Sequence, residues 1–350
     1  MSSIRMSGIA ATATIATAIA LTLAGCAPAA SPGAGDASSD PSEASRERVS
    51  LNVGYIDTSI NGVGVIATAN ELKLWEKYGI DVTLTPFTNG PTQIQAMQAN
   101  QIDVGYIGGG ATWLPATGQA TIIVPSEVSL GDVVLARAGS GVETPEDLKG
   151  KKVGVPEGGS GEMILALALS EAGLSMSDIE KVVLDPPSIV SAYVGGQIDI
   201  AAIFSPFSAQ IMESVPDTVT VAKNADYPDT SFLGSWVASN DAVTDKADAI
   251  ERFLEVYADV NDFRVEDTEQ VVEWASAASG APVDQLTEQA KVSQWTPSDE
   301  ILANNEDGTT FAQYNSLQDV FVSTGRMEKA NDPETFVNTE LFAAAMKARS

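Results

Sequence analysis

The chain has 350 residues, 44% of them hydrophobic, with 47 acidic against 19 basic side chains and a formal net charge of −28. That balance excludes nucleic acid and anionic lipid as partners, because both need a basic patch. Histidine is absent and Cys26 is the single cysteine, which removes histidine bases, serine–histidine triads, disulfides and a structural zinc centre together, and predicts a binding protein with no metal and no cofactor.

In chain order, the first element is residues 1–25. Arg5 is the only charge of a short leading region, residues 8–23 are uncharged, and the stretch closes on Leu23-Ala24-Gly25-Cys26. This is the pattern of a secretory signal peptide. It is too short and too rich in Ala and Thr for a comfortable transmembrane span. The closing run resembles a bacterial lipobox, which implies that Cys26 is lipidated and becomes the mature N-terminus. Residues 26–48 are dominated by Ala, Ser, Pro, Gly and Asp without an aromatic, a composition that cannot bury enough apolar surface to fold and predicts a flexible tether. The folded part is therefore expected on the extracytoplasmic face of the cell membrane, held there by lipid.

About 300 residues follow, ample for a core. They read as an α/β fold, with short apolar strands alternating with helix-length segments. A strand over 51–56 runs into a polar loop over 57–64. A helix ends at Gly79, a strand follows over 80–85, then a short helix and a buried strand over 102–107. The order recurs about a hundred residues later: a strand over 152–155 and loop over 156–161, a helix ending at Gly173, a strand over 181–184, a short helix and a strand over 198–204. Gln101-Ile102-Asp103-Val104 and Gln197-Ile198-Asp199-Ile200 mark the duplication most clearly. The simplest architecture is two similar α/β lobes: 49–132 opens lobe 1, 133–233 forms lobe 2, and 234–350 completes lobe 1. The chain should cross between them near 130–135 and 232–237. The last part should be helical over 246–264, 269–279, 283–294 and 310–324. In open α/β sheets ligands bind beyond the carboxyl ends of strands, so the facing lobes predict a cleft that closes on its ligand.

Candidate binding residues lie in the loops after strands. Thr58, Ser59 and Asn61 offer hydroxyl, amide and backbone N–H donors, and Gly109, Gly110 and Thr112 lead a glycine run into a helix start. Gly159 and Ser160, followed by Glu162, form the matching loop in lobe 2. Exposed N–H groups at a helix start favour an anion; ordinary capped turns are the plainer reading. No Gly-Lys-Ser/Thr follows these glycines, so a phosphate-binding P-loop is not supported. Tyr106, Phe204 and Trp236 are aromatic candidates for the pocket wall, with core packing as the competing fate. Trp75, Trp113, Trp274 and Trp295 read as packing residues on helix faces.

Asp147-Leu148-Lys149-Gly150-Lys151-Lys152-Val153-Gly154-Val155-Pro156 resembles the opening of the second lobe in type II periplasmic-binding proteins. With Gly105-Tyr106-Ile107-Gly108-Gly109-Gly110, Asp185-Pro186-Pro187, Phe204-Ser205-Pro206 and Ser235-Trp236 in the same order, the chain is similar to the taurine, aliphatic-sulfonate and nitrate receptors of ABC importers. The resemblance implies a monomeric receptor that captures a small organic anion, most simply taurine or another sulfonate, and passes it to permease and ATPase subunits. It also implies Phe204 as a pocket wall with the Trp236 strand beside it. Nitrate, bicarbonate or an aromatic carboxylate are alternative ligands. A pyrimidine-precursor synthase on the same fold is the enzyme alternative, but those related enzymes need a histidine and a cysteine-rich iron motif. Two departures stand out. Taurine receptors of this kind carry a carboxylate two residues before the strand tryptophan, where this chain has Gly234, and an acidic residue common in the first loop is Asn61 here. Glu157 and Glu162 are candidates for the missing negative charge, with solvated loop carboxylates as the plainer reading.

Overall fold

The computed structural model describes residues 47–349. The signal peptide, Cys26 and nearly all of the tether expected from the sequence lie outside the described residues. No helix among the described residues is long and apolar enough to cross a membrane.

Among the described residues eleven strands form two sheets. β1 (Val49–Ile56), β2 (Ile80–Phe87), β3 (Val104–Ile107) and β4 (Thr121–Ser129) belong to the first. β5 (Asp132–Ala136), β6 (Lys152–Val155), β7 (Glu180–Val183), β8 (Ile200–Phe204) and β9 (Val219–Lys223) make the second. The chain then returns, and β10 (Leu233–Ala238) and β11 (Ser293–Trp295) complete the first sheet. The passages between sheets are residues 130–131 and 224–232.

The duplication read from the sequence is a duplication of topology. The first sheet runs β2-β1-β3-β10-β4, with β11 added at the edge, and the second runs β7-β6-β8-β5-β9. In each, three parallel strands are followed by one antiparallel to the third. The repeated helices are Gly90–Gln98 and Pro186–Val194, nine residues each, with Pro in the first turn. Asn89 and Asp185 cap them by accepting from the N–H groups of Thr92 and Ser188 at 3.0 and 2.8 Å, which satisfies donors the helix start leaves free. The chain turns into β2 through Gly79 at φ 66°, and from the helix Ser160–Glu171 toward β7 through Gly173 at φ 67°. That left-handed backbone is where glycine ends a helix without strain.

Local chemistry moves some boundaries. β3 begins at Val104; just before it the Asp103 backbone bonds Asn52 and Ser239 at 2.8 Å each, and its carboxylate accepts from the Asn52 N–H at 2.8 Å and pairs with Lys246 at 2.7 Å. The helix expected over 283–294 stops at Lys291, and the chain adds β11 antiparallel to the edge of β4. The helices Ser298–Glu306 and Thr339–Arg349 were not anticipated. The long helix Ala247–Glu266 lays Phe253, Leu254, Tyr257 and Val260 on the first sheet, in one cluster with Trp236 and Tyr106.

Candidate functional site

A cavity of roughly 790 Å³, counting its mouth, lies at the carboxyl ends of strands from both sheets. Ile56, Thr58, Ser59 and Asn61 come from the end of β1 and the helix after it, and Tyr106, Gly108, Gly109 and Ala111 from the end of β3 and its loop. Asn89 to Pro91 supply the start of the repeated helix, and Glu127 and Ser129 the end of β4. The second sheet contributes Asp132, Pro156, Glu157, Gly159, Ser160 and Phe204 to Pro206, while Gln289, Val292 and Ser293 arrive from the C-terminal segment. Seven predicted site residues thus line one cavity: Thr58, Ser59, Asn61, Gly109, Gly159, Ser160 and Phe204. Phe204 stands edge-on to Phe207, with ring centres 5.7 Å apart.

Four predicted residues are placed elsewhere. Trp236 is fully buried. It lies opposite Tyr106 in the β10–β3 ladder, so both rings share the face covered by the long helix, 5.7 Å apart, with Phe253 5.2 Å from Trp236. The tryptophan therefore supports the cavity from behind through Tyr106 and does not touch its space. Thr112 is fully buried beyond the glycine turn, with its hydroxyl unbonded, and is not a lining residue. Gly110 faces the opposite loop: a methyl group there would overlap the backbone of Gly159 and Ser160. Glu162 and Gly110 line a neighbouring recess instead.

Glu162 is also occupied. Its carboxylate accepts from the Gly158 N–H at 2.6 Å, pairs with Lys181 at 2.9 Å, and pairs with Arg326 from the C-terminal segment. Arg326 lies 5.1 Å from the Trp113 ring centre, and the Trp113 indole N–H donates to the Gly158 carbonyl at 3.2 Å. These contacts, with Gly110 on Ser160, tie the two lobes together beside the cavity. Glu157 does line the cavity, but it pairs with Lys181 at 3.0 Å, which holds its carboxyl below the ordinary value.

Apart from the Thr58 hydroxyl, which is buried without a partner, the first loop spends its N–H and amide donors internally. The Ile60 N–H donates to Gln289 Oε1 at 3.0 Å, that of Asn61 to the Ser59 hydroxyl at 3.3 Å, and those of Gly62 and Val63 to the Ser59 carbonyl. The Asn61 side chain is fixed as well, accepting from the Trp295 indole at 2.7 Å and donating to Ser293 at 3.1 Å. The helix Ser160–Glu171 differs, since Gly159 gives it no side-chain cap.

Two residues the sequence reasoning missed dominate the electrostatics. Glu127 and Asp132 are 1% and 0% exposed. The Tyr106 hydroxyl donates to Glu127 Oε1, while Oε2 has no hydrogen bond within the chain. Asp132 Oδ2 accepts from Ser129 at 2.8 Å and from Asn224 at 3.2 Å, while Oδ1 has none. Burial pushes both carboxyls up, Glu127 to about 7. Burial, and then the Glu127 charge, drive the Tyr106 hydroxyl well above its usual range. No lysine or arginine lines this cavity. The available signal was an acidic residue near the end of one strand with an apolar start and another heading an apolar run, placements that, once buried, demand a partner or a function.

Glu127 also accounts for Gly234. The two are opposite one another in the β10–β4 ladder, and a methyl group at 234 would overlap the Glu127 carboxylate. Residues 61–271 match the family model described as NMT1/THI5 like. The chain belongs to the NMT1/THI5-like family. A Brucella suis relative, provisionally named as a binding protein, is 38% identical over 305 residues, covering 87% of this chain and 95% of its own. An Escherichia coli protein provisionally named as binding aliphatic sulfonates is 28% identical over 238 residues, 66% of this chain and 72% of its own. Among solved structures, the alkanesulfonate-binding protein SsuA of Xanthomonas axonopodis pv. citri, bound to MOPS, superposes with a TM-score of 0.68 at 21% identity, over 84% of this chain and 99% of that one. The family member described here therefore has the two-lobed fold of the periplasmic binding proteins.

Proposed function

We propose that this protein is the extracytoplasmic, lipid-tethered solute receptor of an ABC importer. It binds its solute and does not transform it. The solute is a small organosulfonate or related organic acid, held between the lobes and passed to permease and ATPase subunits. One observation carries the reading: loops from both sheets converge on a single cavity whose buried polar atoms lack partners, namely Thr58 Oγ1, Glu127 Oε2 and Asp132 Oδ1. Such atoms cost free energy until a ligand meets them, and a ligand that meets both lobes favours the closed form. The ligand class is supported by the sulfonate-binding names of relatives and by the MOPS bound to the Xanthomonas protein. The uncapped helix start at Ser160 is the natural seat for an anionic head.

Uptake tests the role. Cells lacking this gene should lose high-affinity uptake of a radiolabelled sulfonate and regain it with the intact gene. Unchanged uptake across sulfonates and related organic acids would overturn the importer role for this ligand class.

A further inference from the structure

The cavity has a polarity that the receptor reading leaves unexplained. Its lining holds three carboxylates, those of Glu127, Asp132 and Glu157, and no cationic side chain. Glu157 is neutralised by Lys181. Glu127 and Asp132 are different: both are essentially fully buried, and each keeps one oxygen without a hydrogen bond in the chain. They come from different sheets, Glu127 from the end of β4 and Asp132 from the start of β5, on either side of the short passage between the lobes. The groups facing Glu127 are the hydroxyls of Tyr106 and Ser126, with Arg264 and Asp132 acting at longer range. The groups facing Asp132 are the hydroxyls of Ser160 and Ser129 and the Asn224 amide.

An unpaired buried carboxylate is costly, and a pair of them more so. A wholly anionic solute would add like charge to that wall and be rejected. A solute with a cationic or N–H-donating group that met these oxygens would satisfy them and link the two sheets beside the passage at 130–131. Resting on the receptor reading, we propose that Glu127 and Asp132 form an ammonium subsite, so that the solute carries a protonated amine as well as an acidic head. The amine end lies on the Glu127–Asp132 wall and the acidic end at the helix start at Ser160. The space a side chain at 234 would take is given to the Glu127 carboxylate, so the glycine and the acid act as one unit. Tyr106 is a positioning residue: its hydroxyl holds Oε1 and leaves Oε2 for the solute.

The test is calorimetric titration of the full chain with matched pairs, taurine against ethanesulfonate and β-alanine against propionate. The amine-bearing member should bind about tenfold tighter or better, the size of one charge-assisted hydrogen bond. Glu127→Gln and Asp132→Asn keep the shape and remove the charge. Each should erase most of that preference while the amine-free member binds as well as before or better. Equal or tighter binding of the amine-free members to the unmodified chain would overturn the ammonium subsite and leave the receptor reading standing. A preference that survives in both variants would move the subsite elsewhere. If no member of either pair binds at millimolar concentration, the receptor reading for this ligand class falls, and the subsite with it.

Discussion

Gly234 and Glu127 face each other across neighbouring strands, and the carboxylate fills the space that any side chain at 234 would need. Gly234→Ala is therefore a test of the cavity wall although residue 234 does not line the cavity. Glu127 is confined by the Tyr106 hydroxyl and by burial, so the added methyl must displace it. The variant should lose about 1–3 kcal/mol of stability, as overpacked sites do. Its affinity for an amine-bearing solute should fall about tenfold. Urea unfolding and titration check the two effects separately.

Glu127 sets a pH dependence whose sign is fixed. Its carboxyl titrates near 7 in the folded protein against an ordinary 4.5, because burial opposes the charge. The folded state therefore holds a proton that the unfolded state has lost. The group's contribution to stability is fully present below pH 4.5 and is lost as the pH rises to about 7, with roughly 3 kcal/mol at stake. After burial, Tyr106, Arg264 and Ser126 lower the Glu127 pKa and Asp132 raises it, while the Glu127 charge in turn acts on Tyr257 and Tyr314. Without ligand, Glu127→Gln should gain stability relative to the parent as the pH rises from 4.5 to 7.5. Parallel urea curves for the two chains across that window would contradict the assignment.

Gly110 packs directly on the backbone of Gly159 and Ser160 in the other lobe. Gly110→Ala should prop the lobes apart, since the added methyl overlaps backbone and not the end of a flexible side chain. The fold should survive, solute affinity should drop more than about tenfold because the closed form becomes scarce, and the scattering radius should stop contracting on ligand addition. A contraction equal to the parent's would show that closure does not need this contact.

Arg326 joins the C-terminal segment to Glu162 in the second lobe and stacks near Trp113. Arg326→Ala leaves Glu162 with Lys181 and the Gly158 N–H, so the carboxylate is not stranded. Affinity should weaken by about threefold to tenfold while the melting temperature of the free protein moves by only about one or two degrees. A large fall in melting temperature would make the pair a fold-holding contact and not a closing one.

The duplicated topology could be read from the chain because it rests on local chemistry. Pro-led helices capped by Asn89 and Asp185, and glycine turns at Gly79 and Gly173, are signals that neighbouring residues carry alone. Phe204 and the Gly159-Ser160 loop were legible for the same reason, since they follow strands directly. The remainder of the site depends on which strands become neighbours. β10 returns to pair with both β3 and β4, which puts Trp236 behind Tyr106 and Glu127 beside Gly234. Residues over a hundred positions apart in the chain meet there, and no periodicity reports it. Glu162 was misplaced because its partners, Lys181 and Arg326, lie 19 and 164 residues away.

The central claim is that the cleft is a receptor for a small amine-bearing organic acid. Thermal melting of the full chain against taurine, β-alanine, their amine-free counterparts, nitrate, bicarbonate, sulfate and aromatic carboxylates tests it most directly. A ligand that binds only the folded state raises the melting temperature with dose, by about 2.7 kcal/mol of stabilisation at a hundred times its dissociation constant. A saturable rise of several degrees with an amine-bearing acid, and little or none with its counterpart, is the predicted result. A rise with nitrate, sulfate or an amine-free acid alone would contradict the ligand class, and no rise with any member would contradict the claim itself.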